Sequence, residues 1–238
     1  MGALDAVVFD YGDTLMRFTY DEPTHVRSLA RLLEHLGAAD VGGERLFREL
    51  ARLFGPALEA RGTEGEMDYP RLVREALAVL GLIADERALI DALRAGHREW
   101  DGNVVVHPDA RALLRGVRER GLAVGVVSNA IDPGVLLRED MELHGIADLI
   151  DVAVFSSELG IRKPHPGIYR HVLNRLDVEP SRALFVGDRV LEDVVGPSRA
   201  GMRTCLAVHF RKDAGDHSLA DHVAERPLDV LGLVDRAT

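Results

Sequence analysis

The spacing of hydrophobic residues changes twice along this chain of 238 residues. Val7, Val8 and Phe9 form a short continuous apolar run, which reads as a buried strand. The period then becomes helical. Residues 23–36 read as a helix stopped by Gly37, and residues 44–58 as a second one with Pro56 near its end. Residues 69–80, ended by Gly81, and residues 85–100 read as the third and fourth. No strand pattern lies between Phe18 and Asn103. An all-helical block inserted after the first strand reads as a separate cap over residues 17–103. Asp101-Gly102-Asn103 and His107-Pro108 read as hinge positions on the return.

From Asp109 onward, short apolar runs alternate with helical stretches. Strands are expected over 122–127, 151–155, 183–186, 204–208 and 221–224. Helices are expected over 109–120, 133–144, 166–176, 191–200 and 227–234. The strands before 221–224 are continuous apolar runs and not alternating ones, which predicts an α/β fold with a parallel sheet covered on both faces. Residues 1–16 and 104–238 would form this core domain.

Composition narrows the picture. A hydrophobic fraction of 47% is that of an ordinary globular protein. No apolar run approaches the roughly 18 residues of a membrane span. The N-terminal stretch lacks a basic segment followed by an apolar one, so no secretion signal is expected. A net charge of −10 disfavours a nucleic-acid partner. The single cysteine, Cys205, excludes an internal disulfide and fits a reducing cytoplasm. Its apolar neighbours predict a buried small hydrophobe.

Candidate chemistry sits where strands end. Asp10 follows the first strand directly, ahead of the turn-rich Tyr11, Gly12, Asp13 and Thr14. A carboxylate there is costly unless it is paired, bound to a metal or used in chemistry. Ser128 ends another strand and either holds a phosphate oxygen or caps the next helix. Lys163 lies just before Pro164 and Pro166, which limit where it can go. It suits a phosphate or a carboxylate cluster, or is a solvated cation beside Arg162. His165, between those prolines, reads as structural. Asp188 repeats the carboxylate-after-strand pattern, and Asp193 follows about one helical turn later. Glu192 should point elsewhere. Gathered carboxylates repel unless a hard cation joins them, and oxygen ligands with no Cys or His cluster indicate Mg²⁺. The competing role is an Asp188 N-cap with a first-turn acid. Glu64, Glu66 and Asp68, at a turn of the cap, either disfavour highly anionic substrates or, more simply, read as exposed acids.

Together, Asp10 to Thr14, Ser128, Lys163, and Asp188 with Asp193 resemble, in order, the four motifs of the haloacid dehalogenase-like (HAD) hydrolase superfamily. The resemblance covers nearly the whole chain. It implies a Rossmann-like core and an α-helical cap over the site. It implies that Asp10 is the nucleophile and forms an aspartyl-phosphate. Mg²⁺ would be held by Asp10, the Gly12 carbonyl and Asp188, with Asp193 direct or through water. Ser128 would bind a phosphoryl oxygen, Lys163 would neutralise the phosphate and orient Asp10, and Asn129 would contact the substrate. One departure stands out. Phosphatases of the family usually carry a second Asp, the general acid–base, two residues after the nucleophile. Here that position is Gly12, and the acid has moved to Asp13. Either Asp13 reaches the leaving group, or another group does, or the enzyme handles only good leaving groups. Asx-turn bonding within the loop is the competing role for Asp13.

The expected function is a Mg²⁺-dependent phosphatase of a small phosphorylated metabolite, cytoplasmic, acting as a monomer or homodimer. One alternative is a 2-haloacid dehalogenase, which needs no metal and so leaves Asp188 and Asp193 without a purpose. Another is a phosphate-binding or regulatory module that has lost turnover. Phosphonate hydrolysis would need a cap lysine, and residues 17–103 contain none.

Overall fold

The computed structural model describes residues 3–211 and 215–237. Strand β1 (Ala6–Phe9) lies inside a six-stranded sheet in which all neighbours are parallel. Strand β2 (Met16–Phe18) follows at once, and then four helices: α1 (Glu22–His35), α2 (Gly43–Ala60), α3 (Tyr69–Val79) and α4 (Glu86–His97). Asp21, Asp68 and Asp85 cap α1, α3 and α4 by accepting from the N–H three residues on. Helix α2 runs through Pro56. The chain returns through a 3₁₀ turn, Arg98–Asn103, and strand β3 (Val104–Val106), which pairs antiparallel with β2. Asn103 fixes this crossing by donating to the Thr19 carbonyl and to Asp21, each at 2.6 Å.

The pairing of β2 with β3 is absent from the sequence reading. Each strand has only three residues, too few to show a period, and Phe18 and Val105 are exposed.

The remaining elements alternate: α5 (Ala110–Glu119), β4 (Ala123–Ser128), α6 (Gly134–Leu143), β5 (Val152–Phe155), the short α7 (Ser156–Leu159), α8 (Pro166–Leu176), β6 (Ala183–Gly187), α9 (Gly196–Arg199), β7 (Arg203–Ala207), β8 (His222–Ala224) and α10 (Asp229–Ala237). The sheet order is β5-β4-β1-β6-β7-β8. Side-chain alternation on β1 explains why both faces are apolar. Val7 and Phe9 join Leu113, Val117 and Val230 on one face, while Val8 joins Tyr169, Val172 and Phe185 on the other. This is the Rossmann-like parallel α/β architecture that the continuous apolar strands predict.

The register sets the site. Phe9 is level with Val126 and Val186, so Asp10, Ser128 and Asp188 leave the sheet at one edge. The chain steps from β1 to β4 on one side and later to β6 on the other, so this edge is the switch point where open parallel sheets bind ligands.

The helix expected over residues 191–200 is instead a π-helical turn, Val190–Val195, running into α9. The wider turn carries Asp193 back over the end of β6, where its N–H donates to the Arg189 carbonyl (2.7 Å). Gly187 makes room, since a Cβ there would collide with the Asp193 carboxyl group.

Helices α1 to α4 enclose a core of their own, built on Leu29, Leu33, Leu46, Val73, Leu77 and Leu89, which also takes in Leu136 of α6. Polar contacts tie this layer to the sheet domain, among them Arg94 Nε donating to Glu139 of α6 (2.8 Å). His97 Nε2 lies 2.9 Å from Asp140, and residues 64–66 clip onto residues 160–162 through backbone hydrogen bonds. Glu66 is therefore not the exposed acid expected. Its side chain is 1% exposed, accepts from the Ser156 hydroxyl (2.7 Å) and lies 3.7 Å from Arg162. Cys205 is buried, and burial pushes its thiol up to about 12. Among the described residues no helix is long and apolar enough to cross a membrane.

Candidate active site

Asp10 is buried at the tip of β1, with its N–H bonded to the Val186 carbonyl (2.8 Å). Lys163 Nζ donates to Asp10 Oδ1 at 2.6 Å and to Asp193 Oδ1 at 2.7 Å. The lysine is 3% exposed, so it is no surface cation. Asn129 holds it in place: Oδ1 accepts from the Lys163 N–H (2.7 Å), and Nδ2 donates to the Lys163 carbonyl (3.0 Å). The expected substrate contact thus spends its amide group on positioning the lysine, although Asn129 also lines the cavity. His165 is structural, its Nδ1 accepting from the Gly167 N–H at the start of α8.

Asp193 uses its other oxygen to accept from the Arg189 N–H (2.9 Å). Among the described residues Asp188 caps no helix: its Oδ2 accepts from Arg211 Nε (2.8 Å), while its buried Oδ1 has no hydrogen-bond partner among them. Oxygens of Asp10, Asp188 and Asp193 lie within 4.8 Å of one another. Ser128 is buried and lines the cavity, and the cap position of α6 belongs to Pro133. Glu192 also lines the cavity, but it is outside the carboxylate triad.

Asp13 sits in the left-handed region (φ 55°), which short polar side chains tolerate. Its carboxylate does not bond the loop backbone as an Asx turn would. Oδ2 accepts from Arg211 (3.1 Å) and Oδ1 from Arg17 (3.4 Å). Arg211 therefore ties Asp13 to Asp188. Nothing in the sequence points to Arg211, which follows β7 outside any motif and reaches the site only through the fold.

The electrostatics follow from crowding. Burial, then the Asp193 and Asp188 charges, push Asp10 up to about 7 against the pull of Lys163. Burial and Asp193 push Asp188 up to about 6. Burial opposes charge on Lys163, but the two carboxylates outweigh it and raise its value. Above the cluster is a cavity of about 280 Å³ whose wall includes Arg162, Lys163 and Arg189 as well as Asp10 and Asp13. Cations facing a carboxylate at a strand tip suit an anionic group brought up to that carboxylate.

Removing the lysine should be costly. Lys163→Met leaves Asp10 and Asp193 buried without their cation, a loss of about 3–5 kcal/mol. At this chain length that lowers the melting temperature by about 6–20 °C. Thermal unfolding followed by circular dichroism checks it, and an unchanged midpoint would show that the pair is not desolvated.

Fold and site define a Rossmann-like α/β protein with a buried carboxylate at the switch point of a parallel sheet. A family model for haloacid dehalogenase-like hydrolases matches residues 4–201, and the chain belongs to that family. It is 28% identical over 239 aligned residues to a glyceraldehyde 3-phosphate phosphatase of Methanopyrus kandleri, covering 97% of each chain. It is 34% identical over 168 residues to a phosphoserine phosphatase of Thermus thermophilus, covering 70% of this chain and 65% of that protein. In structure it is similar to a 2-haloacid dehalogenase of Pseudomonas syringae, with a TM-score of 0.68, 23% identity, and coverage of 99% of this chain and 100% of that one.

Proposed function

We propose that the protein is a Mg²⁺-dependent phosphatase of small phosphorylated metabolites, with Asp10 as the nucleophile. The observation that carries this reading is the buried cluster in which Lys163 binds Asp10 and Asp193 while Asp188 Oδ1 has no partner among the described residues. A metal-free dehalogenase would leave that orphaned oxygen unexplained. The relatives named as phosphatases support the same reading.

The residues fit a hard divalent cation: Asp10, Asp188 and the Gly12 carbonyl would hold it, with Asp193 close by. Such an ion would offset charge between the carboxylate and the phosphate. The protein's own groups do the rest. Lys163 and Ser128 bind phosphoryl oxygens and aim the phosphorus at Asp10. The Asp10 carboxylate forms the new bond to phosphorus as the ester oxygen leaves, and water later cleaves the aspartyl-phosphate. Residues 17–103 act as a cap that excludes bulk water.

The direct test is inorganic phosphate release from glyceraldehyde 3-phosphate and phosphoserine with Mg²⁺, and its loss with EDTA. Turnover of a chloroacid that survives EDTA would overturn the reading.

A second test uses pH. Both Asp10 and Asp188 carry values raised above 3.8 in the folded protein. Their contribution to stability is full below pH 3.8 and is lost as pH rises through about 6 and then about 7. A divalent cation needs the ionised forms and reverses this loss. The melting-temperature gain on adding Mg²⁺ is therefore expected to be small at acid pH and to grow through neutrality. A gain independent of pH would place the ion elsewhere.

A further inference from the structure

A second cavity, of about 470 Å³, lies next to the first, between the helical layer and the loop after β4. Phe18 stands in the wall of both, and the chain from Ser128 to Asp132 runs from one to the other. Aromatic rings dominate this cavity. Tyr20 stacks on Trp100 with centroids 5.7 Å apart, Phe18 tilts against Trp100 at 5.2 Å, and His25 meets Phe47 edge-on at 5.2 Å. Phe18 and Tyr20 remain 45% and 56% exposed despite these neighbours. Ring surface left open beside a reaction site is surface that a ligand can cover.

Polar groups in the wall are few. The two nitrogens of His25 face the hydroxyls of Tyr20 and Tyr69, each at 3.3 Å, and burial holds the imidazole below its usual value. His97 pairs with Asp140. Asp132 lines the cavity beside His97 and Asp140: burial pushes its carboxyl above the usual range, His97 pulls it down and the Asp140 charge pushes it up. A carboxylate so placed asks for a donor from the ligand. An acidic ligand group would meet Asp132 with like charge, and a saturated sugar chain would gain little from the rings.

We propose that this cavity receives the non-phosphate part of the substrate, and that this part is an aromatic ring carrying an N–H donor, held against the open ring surface of Trp100, Tyr20 and Phe47 with its donor on Asp132. The inference rests on the phosphatase reading above and names its substrate class, one larger and less polar than glyceraldehyde 3-phosphate or phosphoserine. The volume is ordinary for a small-molecule site. Aromatic stacking and cation–π attraction supply the affinity, and Asp132 supplies the orientation.

Trp100 is the chain's one tryptophan, so its emission reports occupancy of this cavity. On titration of the intact protein, 2-phenylethylamine should change that emission saturably, while ethylamine over the same range should not. Asp132→Asn should raise the Kd of 2-phenylethylamine about tenfold, the scale of one charged contact. Kinetically, KM for 2-phenylethyl phosphate should fall at least about tenfold below KM for ethyl phosphate. The two leaving alcohols are similar in acidity, so the difference reads the cavity. A flat Trp100 response to 2-phenylethylamine, or equal binding of ethylamine, overturns the inference. Hydrolysis of acetyl phosphate, which has no ring, reads the phosphatase assignment separately. Acetyl phosphate turnover with a flat Trp100 signal removes only the ring site. A saturable signal with no turnover of any ester removes the phosphatase reading and with it the substrate assignment.

Discussion

Asp10→Asn is expected to lower phosphate release by at least about 10⁴-fold, the scale on which covalent nucleophiles are lost. The amide keeps the size of the carboxyl group and its acceptor oxygen toward Lys163 Nζ, which lies 2.6 Å away in the native protein. It cannot form an acyl phosphate. The variant also removes one charge from a buried triad in which Asp193 and Asp188 both raise the Asp10 value. The fold should therefore persist, with Lys163 still paired to Asp193. Two measurements check this: phosphate release under Mg²⁺, and acid-quenched enzyme assayed for covalently bound phosphate. Ordinary turnover by the variant would remove Asp10 from the nucleophile role.

Gly12→Asp should raise kcat on alkyl phosphates by about 10²-fold, the lower end of what general acid–base catalysis supplies. A Cβ at Gly12 meets nothing within 4 Å, and its backbone is not in the left-handed region, so an aspartate fits without strain. Asp13 is taken as held by Arg211 and Arg17 and not as the proton donor. Acetyl phosphate, whose leaving group needs no proton, should gain little. The measurement is kcat across phosphates of graded leaving-group acidity. A steep dependence in the native protein that flattens in the variant supports the argument. A native profile that is already flat would show that another group donates the proton.

Much of the fold was legible because its signal is local. The apolar runs that became β1, β4, β5, β6 and β7 are continuous, and only a strand buried on both faces tolerates that pattern. The helix stops at Gly37 and Gly81 were legible for a similar reason, since each glycine has positive φ. What failed was non-local. Strands β2 and β3 exist only because they find each other across the helical insert. The π-helical turn at Val190–Val195 is chosen by the fit of Asp193 against Gly187, which no period reveals. Glu66 looked like one of several surface acids, yet tertiary contact buries it on Ser156.

By itself, the sequence determined that carboxylates, a hydroxyl and a lysine stand at the ends of buried strands. Burying such groups is costly, so their positions mark a site wherever the strands come to lie. Only the tertiary structure decided which atoms share a charge. It turned Asn129 toward the Lys163 backbone, brought Arg211 to Asp13 and Asp188, and set an aromatic cavity beside Asp10. Those contacts join residues far apart in the chain, and their energies depend on distance and desolvation, which neither composition nor period encodes.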